Sequence, residues 1–351
     1  MKRLRACILG ATGIVGQHFI RILHGHPYFE ITAITASTSS QGFEFRKTTD
    51  WIVSESIPPD VSDMTVQETH LRTILKQDPD IVFSALPSTV ASDIESELAR
   101  AGLPVFSNAG AHRMEQEVPI LIPEVNPDHL DLVNHQAYGT GFIVTNSNCS
   151  TSGLVLALRP LVEYGIRNIT VTTFQAVSGA GRRGVSSMDI LGNVIPFISK
   201  EEEKIALETC KILGHLENGR VTPAPFDVNA SCTRVPVMDG HLESVVVDFE
   251  DPIDANTITK VMNGFTGEPQ VLNLPTAPDR PLIIMQEADR PQPKRDLSII
   301  EPDFGMAVKV GRIRVHRNRL NMFLLVHNTI RGAAGASVLN AEFARAKGVL
   351  K

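Results

Sequence analysis

Of the four cysteines in this 351-residue chain, one stands where a thiol could do chemistry. Cys149 lies in Thr145-Asn146-Ser147-Asn148-Cys149-Ser150-Thr151, between an apolar run that reads as a strand and residues 152–162, which read as a helix. A thiol at the positive end of a helix is drawn toward thiolate, its nucleophilic form. Cys7 and Cys232 fall in strand-like runs and Cys210 in a helical one, so all three read as small packing residues. A nucleophilic cysteine needs a group that moves protons. Among the 11 histidines, His24, His26, His129 and His135 read as surface or helix residues. His241 instead follows the turn signal Asp239-Gly240, seven residues after Arg234, and an exposed turn beside an arginine suits an anionic substrate.

A second chemical signal lies near the start. Gly10-Ala11-Thr12-Gly13-Ile14-Val15-Gly16 spaces three glycines between a strand and a helix. In a dinucleotide site Gly10 allows the tight turn, Gly13 lets backbone approach a pyrophosphate, and Gly16 permits close helix packing. The unpaired N–H groups of the helix then face the phosphates. The spacing departs from the common GxGxxG, and a purely structural turn could carry the same residues. At the end of the second strand, where NAD-binding domains place an acid on the ribose, Ser37-Thr38-Ser39-Ser40 offers no carboxylate to repel a 2′-phosphate. That favours NADP over NAD, although no arginine sits in the run.

These residues need elements to hold them. Strand-like runs at 4–10, 30–36, 80–86 and 102–107 alternate with helical patterns at 14–24 and 88–100. Such alternation implies a parallel sheet with helices on its faces. Longer alternating strands at 168–177 and 243–249, with a helix at 201–213 between them, suggest a different second half. The expected class is α/β: an N-terminal Rossmann-type doubly wound parallel sheet and a second α+β domain with a mixed or antiparallel sheet. Residues 289–295 read as a proline-rich loop and 332–347 as a closely packed terminal helix. The expected boundaries are 1–147, completed by 328–351, for NADP binding, and 148–327 for catalysis and dimerisation.

Composition narrows the partners. Thirty-three basic against 39 acidic residues leave a net charge of −6, which argues against nucleic acid as the main partner. No apolar run approaches the roughly 18–20 residues that would span a bilayer. The cysteines lack paired CxxC spacing, so no metal is expected, and a reducing cytoplasmic compartment is the default. Met1-Lys2-Arg3-Leu4-Arg5 imitates the basic head of an export signal, but the glycine turn breaks the apolar stretch that follows. It is read as the first strand of the mature domain.

Several motifs together resemble one family. Gly10-Ala11-Thr12-Gly13, Phe83-Ser84-Ala85-Leu86-Pro87, Ser107-Asn108-Ala109 and Asn148-Cys149-Ser150-Thr151 match it in order. So do Gln175-Ala176-Val177-Ser178-Gly179-Ala180-Gly181, Asp239-Gly240-His241 and Asn328-Thr329-Ile330-Arg331-Gly332-Ala333-Ala334-Gly335. The chain resembles, over essentially its whole length, the aspartate-β-semialdehyde dehydrogenases of the archaeal and fungal branch.

The resemblance implies NADPH-dependent reductive dephosphorylation of L-aspartyl-4-phosphate to L-aspartate 4-semialdehyde, a step toward lysine, threonine, methionine and diaminopimelate. It implies Cys149 as nucleophile, His241 as general acid/base and Gln175 as a holder of the acyl intermediate. Arg234 would bind the substrate α-carboxylate and Glu202 its amino group, the latter chosen within Glu201-Glu202-Glu203-Lys204 on a Glu-x-Lys match. Arg113, Asn148 and Lys204 would hold phosphate. Cofactor contacts are expected from Gly10, Thr12, Gly13, Ile14, Val15, Ser37, Ser40, Ser84 and Leu86, and from Ser178, Gly179, Gly181 and Asn328. Homodimers or homotetramers are the family habit. The nearest alternative is a malonyl-CoA or succinyl-CoA reductase, which would keep Cys149, His241 and the NADP site. A catalytically dead NADP-binding regulator would have no use for the intact set Cys149, His241, Arg234 and Gln175.

Overall fold

In the computed structural model, which describes residues 2–54, 56–297 and 303–350, Leu4–Leu9 forms strand β1 and Ile14–Leu23 forms helix α1. Met1, part of the basic head, lies outside the described residues. The chain divides into two units, the first made of residues 1–121, 128–146 and 333–351, the second of 122–127 and 147–332.

The first unit continues with β2 (Phe29–Ala36), β3 (Gln67–Glu68), α2 (Leu71–Lys76), β4 (Ile81–Ser84), α3 (Ser88–Arg100), β5 (Pro104–Ser107) and β6 (Phe142–Thr145). Its six strands are all parallel, in the order β3-β2-β1-β4-β5-β6. The strands read as nearly unbroken apolar runs because helices cover both faces of such a sheet. Cys7, Leu9, Val82, Val105 and Ile143 form one buried layer with Leu98 of α3. Strand β3 and helix α2 lie in a stretch whose sequence shows no clear period: β3 has only two residues, too few for alternation to register.

Between β1 and β4 the strand order reverses, the place where doubly wound sheets take ligands beyond their carboxyl ends. Gly10 stands there at φ +77°, and a Cβ on it would come within 2.7 Å of the Ala85 carbonyl oxygen. A Cβ on Gly16 would lie 2.2 Å from the Gly10 oxygen, so α1 starts against the turn only because both residues are glycine. The closing helix Gly335–Ala346 is buried along almost its whole length. Its Asn340 amide donates to the Leu121 carbonyl and to Asn146 Oδ1, and its Glu342 meets His26 at 2.8 Å. His26 is buried outside any helix, contrary to the surface-or-helix reading, whereas His129 is buried within the helical segment Pro127–His135.

The second unit holds α4 (Cys149–Leu158), β7 (Ile166–Gln175), α5 (Glu201–Ile212), the hairpin β8 (His215–Glu217) and β9 (Arg220–Thr222), then β10 (Asp227–Arg234), β11 (His241–Phe249), β12 (Leu282–Met285), β13 (Val308–His316) and β14 (Arg319–Val326). Its six-stranded sheet runs β10-β7-β11-β14-β13-β12 and is mixed: β10 and β7 are parallel, as are β12 and β13, and the other pairs are antiparallel. Burial alternates strictly along β11, as a strand with one covered face requires. Helices α4 and α5 pack together, α4 against β14 and α5 against β10.

Candidate active site

Register alone gathers three of the expected residues. In the parallel pair, Arg234 of β10 stands opposite Gln175 of β7, each the last residue of its strand. Strand β11 runs the other way, with Leu242 opposite Phe174, so its first residue, His241, lies at that same sheet end. His241 is fully buried and opens a strand. The expectation of an exposed turn fails because His241 already pairs with Val326 of β14, and from Leu242 onward β11 is flanked on both sides.

Cys149 is the first residue of α4, three residues earlier than the expected helix start. The reason is Asn148, whose Oδ1 accepts from the Ser150 and Thr151 N–H groups at 2.9 and 3.2 Å and so caps the helix. Cys149 Sγ lies 3.2 Å from His241 Nε2. The other ring nitrogen, Nδ1, accepts from the Ala176 N–H at 3.1 Å. Burial, and next the positive charge of Arg234, push the imidazole down to about 3, so the ring is neutral at ordinary pH. With Nδ1 accepting, the proton of the neutral ring sits on Nε2, facing sulfur. Arg234 Nη1 donates to the Ala176 carbonyl at 2.7 Å. Burial lowers its affinity for its proton, while Cys149 and Glu201 act to keep it charged.

Below this pair lies a cluster of carboxylates and amides. Asn148 Nδ2 donates to Glu201 Oε1 at 2.6 Å and its backbone N–H donates to Glu208. Gln175 Nε2 donates to the same Glu201 oxygen at 3.3 Å and to Thr173 Oγ1 at 3.2 Å. Lys204 Nζ stands 3.5 Å from Glu201 Oε2. Glu202 does not join them: it is exposed, and its carboxylate accepts from the Cys232 N–H at 3.0 Å. The carboxylate that meets Asn148, Gln175 and Lys204 is Glu201, which the sequence reading does not single out. The available signal was helical spacing, since Glu201 and Lys204 are three apart and share a face, whereas Glu202 is turned about 100° away.

The turn at Val177–Ala180 covers the pair. A Cβ on Gly179 would stand 2.8 Å from Arg234 Nη1 and 3.2 Å from His241 Nε2. Asn328 spends both ends of its amide here, accepting from Gly240 N–H at 2.8 Å and donating to Ser178 Oγ at 2.9 Å. Gly181 lies beyond the turn and is exposed. Among the described residues no group of His, Cys, Asp and Glu could hold a metal ion. No helix among them is long and apolar enough to cross a membrane.

The remaining expected residues belong to the first unit. Helix α1 begins with neither a side-chain cap nor an acid in its first turn, which leaves the positive end of the helix, at Gly13, Ile14 and Val15, free for an anion. Thr12 is half-buried beside it, Ser84 closes β4 and Leu86 touches the Gly10 turn. Ser37 is exposed just past β2, with Ser40 tucked under it by an N–H to the Ser37 carbonyl. This donor set, hydroxyls and backbone N–H without a carboxylate, fits a phosphorylated dinucleotide. Arg113 is buried and donates to the Asn108 carbonyl at 2.9 Å.

Two family models match the chain: semialdehyde dehydrogenase, NAD binding domain, over residues 5–133, and semialdehyde dehydrogenase, dimerisation domain, over 158–331. The aspartate-semialdehyde dehydrogenase of Methanothermobacter thermautotrophicus is 49% identical over 342 residues, which cover 95% of this chain and 97% of that one. The Candida albicans enzyme of the same name is 42% identical over the full length of both. Among solved structures, the Candida albicans aspartate-semialdehyde dehydrogenase with NADP superposes with a TM-score of 0.89 at 40% identity, covering 99% of each chain. The Vibrio cholerae aspartate-semialdehyde dehydrogenase II complexed with ASA does so with a TM-score of 0.77 at 26% identity, again over 99% of each.

Proposed function

This chain belongs to the semialdehyde dehydrogenase family, and from that premise we propose that it reduces L-aspartyl-4-phosphate to L-aspartate 4-semialdehyde with NADPH, reversibly and with release of phosphate. The observation that carries the reading is the 3.2 Å approach of Cys149 Sγ to His241 Nε2 at the capped start of α4. A nucleophile beside a helix N-terminus and a positioned imidazole is the arrangement acyl transfer requires.

The Cys149 thiolate attacks the acyl carbon, a C–S bond forms as the C–O bond to phosphate breaks, and a thioester remains. NADPH, when bound, supplies the hydride that reduces this thioester. His241, neutral and carrying its proton on Nε2, donates to the oxyanion that forms. Collapse of the hemithioacetal anion breaks the C–S bond, frees the aldehyde and restores the thiolate. The resemblance implies a general acid/base; the neutral buried ring and the N–H donated into Nδ1 support a hydrogen bond from Nε2–H to that oxyanion, with the proton staying on the ring. Arg234 offers its remaining guanidinium N–H groups to the α-carboxylate. Glu201, in place of Glu202, takes the amino group. Gln175 holds the acyl oxygen, and Asn148 and Lys204 receive phosphate. Arg113 enters as a phosphate ligand on the resemblance.

In this reading the first unit, with the glycine turn and the Ser37–Ser40 run, holds NADP, and the second supplies the chemistry. The dimerisation-domain match supports a homodimer, and pairing into a tetramer is the further proposal. The reading places the enzyme in the cytoplasm and in the synthesis of aspartate-derived amino acids. The named relatives do not favour a CoA-ester substrate. Phosphate-dependent oxidation of aspartate semialdehyde, run with NADP and NAD in parallel and beside malonyl-CoA reduction, tests the proposal. Turnover that requires phosphate and prefers NADP is expected, with Cys149→Ser slower by roughly a thousandfold or more. Reduction of the CoA ester alone would overturn it.

A further inference from the structure

One short segment of the second unit touches the supports of both Cys149 and His241. Past β14, the His327 carbonyl accepts from the Ile330 N–H at 3.3 Å and from the Gly332 N–H at 3.0 Å. The second bond spans five residues, as π bonds do, and leads into a π turn over Ile330–Ala334. At one end of the segment, Asn328 holds the Gly240 N–H, next to His241. At the other, Gly332 lies on the nucleophile: a Cβ there would come within 2.7 Å of Cys149 Cβ and 2.9 Å of its Cα.

Between these two ends stands a buried ion pair. Arg331 is 1% exposed, and its Nη1 and Nη2 each donate at 2.7 Å to the two oxygens of Glu124. Glu124 is itself walled in, since a Cβ on Gly267 would meet its Cα at 2.5 Å. A forked pair of this kind fixes orientation as well as position, which a lysine cannot reproduce. Hydrophobic residues of similar volume would often stabilise a fold as well as a buried ion pair does. What they would not supply is a single setting for the turn.

We propose that the Arg331–Glu124 pair locks the π turn so that Gly332 seats Cys149 at its working distance from His241. Arg331, Glu124 and Gly332 are then positioning residues for the reaction, remote from the reacting atoms. The inference rests on Cys149 being the nucleophile. A shift of about 1 Å in a reacting group costs on the order of a hundredfold in rate, so a loosened turn shows in kcat before binding.

The test uses full-length Arg331→Lys, Glu124→Gln and Gly332→Ala proteins. Each is measured for kcat, KM, melting temperature and, without substrate or cofactor, the pH profile of Cys149 alkylation by iodoacetamide. All three are expected to lose roughly ten- to hundredfold in kcat with KM within about threefold, and to alkylate more slowly with the midpoint moved to higher pH. Gly332→Ala does this with the ion pair intact. If the pair variants melt lower yet keep the parent kcat and alkylation profile, the pair only stabilises the fold and the proposal is overturned. If those two do not fold, Gly332→Ala decides by the same readouts, and parent-like behaviour overturns it. Cys149→Ser tests the premise separately: full turnover in that variant would remove the nucleophile itself.

Discussion

The side-chain amide of Asn148 donates to Glu201 Oε1 across 2.6 Å, tying the cap of α4 to the first turn of α5. The same oxygen receives Gln175, so one carboxylate joins the helix that starts at Cys149 to the end of β7. A hydrogen bond to a charged group contributes about 1.5–3 kcal/mol. Glu201→Gln is therefore expected to raise KM for the amino-acid substrate roughly ten- to hundredfold. Glu202→Gln, whose side chain is exposed, should change it less than about twofold. Steady-state kinetics on the two proteins decide it, and equal effects would mean that Glu201 does not hold the substrate amine.

His241 makes stability depend on pH. Its ordinary value is 6.5 and burial lowers it to about 3 in the folded chain. On acidification the unfolded chain takes up this proton first. The stability tied to the neutral ring is thus complete above about pH 6.5 and drains away as pH falls toward 3. One such group changes stability by about 1.4 kcal/mol per pH unit. Between pH 6.5 and 4.5 the parent should lose about 2–3 kcal/mol more than His241→Gln, as measured by urea unfolding. Parallel curves would show that the imidazole is not held neutral.

Glu243 carries the opposite sign. It is wholly buried on β11, opposite Thr173 of β7 and Leu324 of β14. Burial pushes its carboxyl well above the usual range, the Ser150 hydroxyl of α4 pulls the other way, and the Glu201 charge from α5 adds to the rise. The folded chain keeps a proton that the unfolded chain releases near pH 4.5, so stability falls as pH rises above that point. Glu243→Gln keeps the shape without the acid. Relative to the parent it should gain on the order of 1–3 kcal/mol between pH 4.5 and pH 7 in unfolding experiments. A constant difference across that range would contradict the protonated state.

Much of this arrangement could be read from local sequence. The glycine turn, the alternation of strands and helices over the first half and the singular setting of Cys149 all rest on patterns a few residues long. The hydrophobic period places the start of α4 three residues late because Asn148, not that period, sets it. His241 is buried despite its turn signal because one turn dipeptide says nothing of the strands that pair beyond it. Adjacent glutamates point about 100° apart on a helix, so of Glu201 and Glu202 only one, Glu201, faces Asn148.

By itself, the sequence determined the parallel first sheet, the glycine turn leading into α1, the absence of a carboxylate in Ser37–Ser40 and the one cysteine that stands beside a helix start. These depend on backbone geometry and on neighbours within one turn or one strand. Only the tertiary structure decided which side chains share a site. Gln175 and Arg234 meet because β7 and β10 are parallel, His241 joins them because β11 runs back, and Gly332 reaches Cys149 across more than 180 residues of chain. Strand register and burial set those meetings, and neither is written in any single stretch of residues.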